Sequence, residues 1–382
     1  MSRFGRFVEA IEYYEKALEA EPTNGMAAGN LALELEYAAL LTGRYRHEYI
    51  AVVHQLLTQV FGPDMHLQYG SRPAVESFQV ALKRVTKFLD FHQDPISPPG
   101  PVAERIAASP VADYSKFCVD NGLLLSPWIG NKHLSPDLID NVAFGPIVTP
   151  ITADLVPELL MILDEIKESF SVARYLFYLS QREQEQLNNI SEMTLYHGFE
   201  SYAIRGVYTG LCKSAYARAF DVLDKVARII NVYFGLGRRE AAFWSILATK
   251  QSLGEEQVIR FVARPEVGNM DNFGLYALAD LCIDYFESEQ VDLKTIDARR
   301  NRITHDYLDV RLNLLPDHLR EDAGNIALDD LTAETGRVLL LAKYAVLYAV
   351  SAVQISEMRK EPVEMGNTYT REYHDRPGAA FL

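Results

Sequence analysis

The chain has 382 residues, a formal net charge of −15 and a hydrophobic content of 48%. This length and composition predict a globular protein that buries a sizeable core, arranged as two or three domains. The negative charge argues against a protein that coats nucleic acid non-specifically, because phosphate binding draws on a positive field. Any contact with RNA or DNA must therefore be local.

Cysteine and histidine spacing gives no sign of a disulfide framework or a metal site. The three cysteines, Cys118, Cys212 and Cys282, are odd in number and widely spaced, which fits a reducing compartment. His47 and His54 are seven residues apart on a predicted helix and have no third ligand nearby. Neither a metal nor an organic cofactor is expected.

No targeting or membrane-spanning segment is predicted. The first residues lack the basic and apolar regions of a signal peptide, and no run of about 18 uncharged apolar residues occurs. We therefore expect a cytoplasmic protein without membrane association.

The first predicted elements lie in residues 1–94. The stretch GRFVEAIEYYEKALEAEPTN (5–24) has its glycine, aromatic residues, small residues and closing proline where the second helix of a tetratricopeptide repeat (TPR) has them. The next segment resembles the first helix of a following, degenerate repeat. Because repeats bury their faces only by stacking, this short TPR-like region must pack on the helices that follow. Its many acidic residues predict a surface that docks a regulatory protein.

Residues 95–150 are predicted to form a connector. The stretch PISPPGP (95–101) breaks any helix, since proline lacks the amide donor and clashes with the preceding turn. From Tyr114 to Pro150 the sequence is rich in proline, glycine and asparagine and has no sustained period. This predicts an irregular strap laid over the helices.

From residue 151 to residue 360 the pattern is helical. In SAYARAFDVLDKVARIINVYFGLG (214–237) apolar residues recur every three or four positions, and Gly235 and Gly237 end the helix. A second helix is predicted from Phe273 to Phe286, and a long third one begins near Thr332. No alternating strand pattern competes with them, so the predicted fold class is all-α, with residues 361–382 as an extended tail.

The stretch ARRNRITHDY (298–307) combines three arginines, an asparagine and a histidine. On a helical wheel one stripe faces a core, and it consists of Ile296, Ile303, Tyr307, Val310 and Leu314. Asn301 and His305 point away from that stripe, while Arg300 lies near its edge. Such a turn is commonly a solvated face whose arginines pair with nearby aspartates, which here are Asp297, Asp306 and Asp309.

The order of these residues adds a family resemblance. Arg300-Asn301-Arg302-Ile303-Thr304-His305 fits the Arg-Asn-x-x-x-His motif of the HEPN superfamily, all-α domains that include many metal-independent RNA endonucleases. KESFSVARYLFY, KSAYARAFDVLDKVARIINVYFGLG, NFGLYALADL and KYAVLYAVSAVQISEMRK also resemble segments of the bacterial group in which a HEPN domain follows TPR-like helices. The resemblance implies a short TPR-like region packed on a HEPN helical bundle at residues 151–360.

The resemblance implies that Arg300, Asn301 and His305 are catalytic. Metal-free RNA cleavage needs a base for the ribose 2′-hydroxyl, an acid for the 5′-oxygen and a cation for the charged phosphorane. A histidine near neutral pKa serves as base or acid. An arginine holds phosphate oxygens in pairs and stays charged, and the asparagine would orient the imidazole or the phosphate.

Supporting residues are expected on an earlier helix. HEPN nucleases often add an acidic residue there, and Asp224 is the candidate; Lys225 and Arg302 are further supporting candidates. Around this helix basic residues outnumber acidic ones by seven to three, which predicts a basic groove beside the motif. The alternative is that Asp221 with Lys225, and Asp224 with Arg228, are i,i+4 pairs that only solubilise the helix.

Two functions from different classes remain open. The first is an RNA endonuclease that acts as a toxin or antiphage-defence effector and is restrained through the TPR-like helices. Because one motif supplies one histidine, this function predicts a homodimer through the HEPN helices, with both motifs in a shared groove. The second is a non-catalytic HEPN/TPR scaffold that dimerises and binds a protein partner or a nucleotide.

Overall fold

The computed structural model describes most of the chain. The described residues are 5–41, 46–67, 72–91, 102–126, 139–145, 147–149, 158–182, 184–195, 203–239, 242–253, 258–287, 293–311, 324–360 and 367–369. The PISPPGP stretch and Leu314, for which predictions were made above, lie outside these residues, as does all of the predicted tail except 367–369.

The described residues form helices joined by short strands. The helices are α1 (Phe7–Ala20), α2 (Gly25–Ala38), α3 (Arg46–Val60), α4 (Arg72–Phe91), α5 (Val102–Ala107), α6 (Ala112–Asp120), α7 (Glu158–Ser180), α8 (Gln184–Glu192), α9 (Val207–Tyr233), α10 (Phe243–Leu247), α11 (Pro265–Gly268), α12 (Phe273–Glu287), α13 (Leu293–His305) and α14 (Leu328–Met358). The strands are β1 (Ile147–Thr149), β2 (Ala248–Leu253), β3 (Val258–Ala263), β4 (Asp309–Arg311), β5 (Asn325–Ala327) and β6 (Asn367–Tyr369). The predicted all-α class is confirmed.

Helices α1 to α4 pack on one another in chain order. The side chain of Asn24 accepts the amide of Ala27 at 2.9 Å and caps the start of α2. Gly29 lets α2 approach α4 closely, because a Cβ at this position would lie 2.4 Å from the ring of Phe78.

Helix α1 joins the first four helices to the rest of the protein. Phe7 is buried and makes edge contacts with Tyr37 of α2 and Tyr348 of α14, at ring-centroid distances of 5.0 and 5.6 Å. Gly5 has a φ of 75° and lies against the backbone of Phe273, where a Cβ would not fit. Residues from both parts of the chain therefore belong to one continuous hydrophobic core.

The connector is more ordered than predicted. Helix α6 covers Tyr114 to Asp120, so the expectation of an irregular segment is wrong for these residues, and an i,i+4 ion pair between Lys116 and Asp120 supports the helix. After Gly122 no helix occurs among the described connector residues. Arg174 of α7 holds this part by a two-pronged ion pair with Asp140, at 2.8 and 3.0 Å.

Three long helices, α7, α9 and α14, form the centre of the second part. Helices α7 and α9 run antiparallel, since Arg228 near the end of α9 contacts Glu158 at the start of α7. Helix α9 ends at Tyr233, just before Gly235 and Gly237, as predicted. Both glycines take the left-handed conformation. Among the described residues only α14 is long and apolar enough to cross a membrane, and 78% of its apolar window is buried inside the protein. Such burial is typical of the core helix of a soluble protein.

The strands form two-stranded sheets. Strands β2 and β3 form an antiparallel hairpin, β4 pairs with β5 in parallel, and β1 pairs with β6 in antiparallel fashion. Helix α14 starts at Leu328 and not near Thr332, because β5 leads directly into it and Ala327 occupies the cap position without a side-chain hydrogen bond.

Candidate functional site

The motif lies on α13, which packs against α9 and ends at His305. The prediction that its apolar stripe continues through Tyr307 to Val310 in one helix is wrong. Tyr307 is 60% exposed, and Val310 is buried in β4, where it pairs with Ile326 of β5. The parallel ladder takes the backbone groups that a longer helix would need, so the helix stops.

Within the helix the side chains lie where the wheel predicts. Ile303 packs against the core, whereas Asn301 and His305 are exposed. Arg302 is partly buried. Thr304 donates its hydroxyl hydrogen to the Arg300 carbonyl at 2.8 Å, one turn earlier. Asn301 and His305 are therefore accessible from solvent on one side of the same helix.

Arg300 contacts Asp224, the acidic candidate of α9. One terminal nitrogen of the guanidinium, Nη2, lies 2.5 Å from Asp224 Oδ2, and the side chains are 31% and 30% exposed. The guanidinium carbon is 5.4 Å from the centre of the Phe220 ring, so the ring makes a cation–π contact with the arginine. The other carboxylate oxygen of Asp224 accepts the amide of Phe243 at 3.3 Å. Asp224 thus links α9, α13 and the start of α10.

Arg299, the neighbour of Arg300, forms an ion pair with Glu334 of α14. The two side chains are 12% and 10% exposed. Among the described residues, neither Arg299 Nε nor Glu334 Oε2 has a hydrogen-bond partner. The sequence reading missed Glu334, although an acid inside a long apolar helix signals a buried cation nearby.

Lys225 is directed to α7. Its ammonium lies 2.9 Å from Asp221, 2.6 Å from the Ser169 hydroxyl and 3.6 Å from Glu165. The predicted i,i+4 pair of Asp221 with Lys225 therefore exists. The structure does not bring Lys225 to Arg300 through any contact of the described residues.

The second proposed i,i+4 pair is replaced by contacts between helices. Asp224 binds Arg300, while Arg228 pairs with Glu158 at 2.5 Å. Arg205 and Arg238 also have acidic partners, Asp309 and Glu266. Much of the predicted basic character around α9 is therefore neutralised by ion pairs.

Lys213 supports the turn after His305, a role that the sequence reading missed. Its ammonium donates to the carbonyl oxygen of Leu308 at 2.5 Å. Burial lowers the pKa of Lys213, and the nearby Arg205 lowers it further. The amide of Ile204 donates to Val310 at 2.6 Å, so the chain is held on both sides of this turn.

No group of three or more histidine, cysteine, aspartate or glutamate side chains suited to a metal ion occurs in the described part of the chain. The site instead combines a guanidinium held by an ion pair, an exposed imidazole and an exposed carboxamide on one helix. Guanidinium groups suit phosphate oxygens, and imidazole transfers protons near neutral pH.

Comparison with known proteins gives a family for the second part of the chain. A family model described as LA2681-like HEPN matches residues 151–356, which is more than half of the chain. A search of curated proteins and a search of solved structures return no match. The matched residues include α9, α13 and nearly all of α14. The chain therefore belongs to the LA2681-like HEPN family.

Proposed function

We propose that the protein is a metal-independent RNA endonuclease whose catalytic residues are Arg300, Asn301 and His305. The observation that carries this proposal is the contact of Arg300 with Asp224, which fixes a guanidinium five residues before an exposed histidine on the same helix. Membership of the LA2681-like HEPN family supports a ribonuclease or nucleotide-binding role for this domain.

The residues match the needs of the reaction. Asp224 engages Nη2 of Arg300, and a guanidinium has five N–H donors, so donors remain for the oxygens of a phosphate. Arg300 would stabilise the phosphorane, and His305 would remove the proton from the 2′-hydroxyl or donate one to the 5′-oxygen. Asn301, on the same exposed side, would orient the imidazole or the phosphate. Arg302 would add positive charge nearby.

The proposed active species is a homodimer through the HEPN helices. Cleavage uses separate groups at the attacking and leaving oxygens, and each chain has one motif histidine. A two-fold axis brings a second copy of the same patch to the groove. It would also concentrate the motif arginines of both chains, which accounts for RNA binding by an acidic protein.

We further propose that helices α1 to α4, the TPR-like region, regulate a cytoplasmic toxin or defence effector. Arg6, just before α1, forms ion pairs with Asp280 and Asp284 of α12. Helix α12 immediately precedes the motif helix along the chain and contacts it. A protein bound to α1 to α4 would therefore act on α13 through α12.

The decisive experiment is incubation of purified protein with total RNA, with and without EDTA. We expect cleavage in both conditions and products that end in a 2′,3′-cyclic phosphate. His305→Ala should lower the rate by about 10² or more, and Arg300→Ala should also lower it. His66→Ala is the matched control, since His66 is an exposed histidine before α4.

Equal rates for the wild type, His305→Ala and Arg300→Ala would refute the nuclease proposal. Absence of cleavage by the wild type would favour the second candidate, a HEPN/TPR scaffold that binds a protein or a nucleotide.

A further inference from the structure

Two neighbouring arginines of α13 are tied to two different helices. Arg299 pairs with Glu334 of α14, and Arg300 pairs with Asp224 of α9. Successive residues of an α-helix point about 100° apart. Ion pairs at two successive positions therefore fix the rotation of α13 about its own axis. Because His305 is on the same helix, its direction is determined by the same rotation.

The Arg299–Glu334 pair is poorly suited to stabilising the fold. Both side chains are largely buried, and each retains a polar atom without a partner in the described structure. Burial of two charges has a desolvation penalty, and apolar residues of similar size often stabilise a fold as well or better. A buried polar atom without a hydrogen bond adds to that cost. The pair therefore contributes more to the orientation of α13 than to the stability of the fold.

We propose that Arg299 and Glu334 are positioning residues that set the rotation of α13, so that Arg300 meets Asp224 while His305 faces solvent. The inference rests on the proposed nuclease function for its consequence in catalysis. Its structural part, the rotation of α13, is independent of that function. Neither residue needs to contact RNA.

The main test is the double variant Arg299→Met with Glu334→Leu, which removes both charges and retains apolar volume. We expect a melting temperature at or above that of the wild type. The kcat for RNA cleavage should fall about tenfold or more, and by a larger factor than KM rises. If the pair only stabilised the fold, the double variant would have a lower melting temperature. Its kcat would then equal that of the wild type at temperatures below that melting temperature.

A second readout needs no substrate. In protein with ¹⁵N-labelled arginine, the Arg300 guanidinium signal is assigned by its loss in Arg300→Lys. Asp224→Asn should shift this signal in the wild-type background and leave it unchanged in the double variant, where the contact is already lost. This readout remains decisive if the wild type does not cleave RNA, so failure of the proposed function is distinguishable from failure of the inference.

Two further variants keep the test sharp. Glu334→Gln retains an acceptor for Arg299 and should keep most of the kcat, even if the double variant does not fold. Asp140→Asn weakens a similarly buried pair with Arg174, whose guanidinium also donates to Tyr114 and to the Leu123 carbonyl, both far from α13 in the chain. This variant should lower the melting temperature and leave kcat unchanged. The inference is overturned if the double variant keeps the wild-type kcat or its Arg300 signal still responds to Asp224→Asn. If the double variant does not fold, the inference is overturned by an equal loss of kcat in Glu334→Gln and Glu334→Ala.

Discussion

Asp224 of α9 and Arg300 of α13 are 76 positions apart in the chain, and their side chains meet at 2.5 Å. The same carboxylate accepts the amide of Phe243. Both side chains are nearly one-third exposed, and ion pairs at such positions contribute about 1 kcal/mol or less to stability. The contact therefore matters more for the direction of the guanidinium than for the stability of the fold.

Replacement of this carboxylate should separate activity from stability. We expect Asp224→Asn to lower the rate of RNA cleavage about tenfold, since Arg300 loses its charged partner, while the free energy of unfolding falls by about 1 kcal/mol or less. Cleavage assays and urea unfolding measure the two quantities. Asp221→Asn, one turn earlier on α9, is the control and should leave cleavage unchanged. Equal cleavage by Asp224→Asn and the wild type would contradict the prediction.

The ring of Phe220 should contribute to the same orientation. Phe220→Leu removes the aromatic face below Arg300, an interaction of about 0.5–1 kcal/mol at a partly exposed site. We expect a several-fold lower cleavage rate for this variant. Phe220→Tyr keeps a ring and should cleave normally. A rate for Phe220→Leu equal to that of Phe220→Tyr would show that only apolar volume is needed.

Helix α1 should be required for the stability of the HEPN helices. Phe7→Ala removes a buried ring that contacts Tyr348 of α14, and we expect a loss of about 3–5 kcal/mol in the free energy of unfolding. Tyr13→Ala is the control on the same helix, because Tyr13 is 56% exposed. Urea unfolding compares the two variants. Similar small losses for both would indicate that α1 is a loosely attached module.

Lys343 should make stability increase with pH. This lysine is fully buried in α14 and donates to the Gly122 carbonyl at 2.6 Å; burial lowers its pKa from 10.5 to about 8, and Glu12 and Asp140 oppose the shift. Between these two pH values the unfolded chain binds more protons at Lys343 than the folded chain, so the free energy of unfolding rises with pH.

Lys343→Met isolates this effect, because every other titrating group is retained. The difference in free energy of unfolding between wild type and variant should rise by at most about 3 kcal/mol from pH 8 to pH 10.5. Urea unfolding at several pH values gives this difference. A constant or falling difference would contradict the prediction.

The species that cleaves RNA should be a dimer. Sedimentation velocity at the concentration of the cleavage assay should show two chains per particle, and dilution that yields monomers should abolish cleavage. Cleavage by a proven monomer would refute the two-fold arrangement, as would a complex in which the two motifs lie on opposite outer faces.

Local pattern was sufficient to predict several helices. The helix predicted from Phe273 to Phe286 is observed at Phe273–Glu287, and the one before Gly235 ends as expected. Both have strong apolar periods, and a left-handed glycine marks the second end. The end of α13 was not predictable from local pattern. Val310 continues the helical period, yet its partner Ile326 lies 16 residues later in a parallel strand pair.

The same limit applies to the candidate site. The exposure of Asn301 and His305 follows from the wheel, because it depends only on helical spacing and on one core direction. The partner of Asp224 does not follow from spacing. Spacing predicts Arg228, four residues later on the same helix, whereas the observed partner is Arg300 of α13. Glu334 is a similar case, since its burial next to Arg299 depends on how α13 and α14 pack.

Strands β1 and β6 flank the residues that match the family model, and Ile147 faces Tyr369 across their antiparallel pair. Paired strands of this kind are about 5 Å apart. The chain therefore enters the helical bundle at β1 and exits it at β6, and these two points are adjacent. A host protein would need a gap of only that width, such as one hairpin turn, to receive this stretch, and it would also have to supply a side chain in place of Phe7, which belongs to the same core.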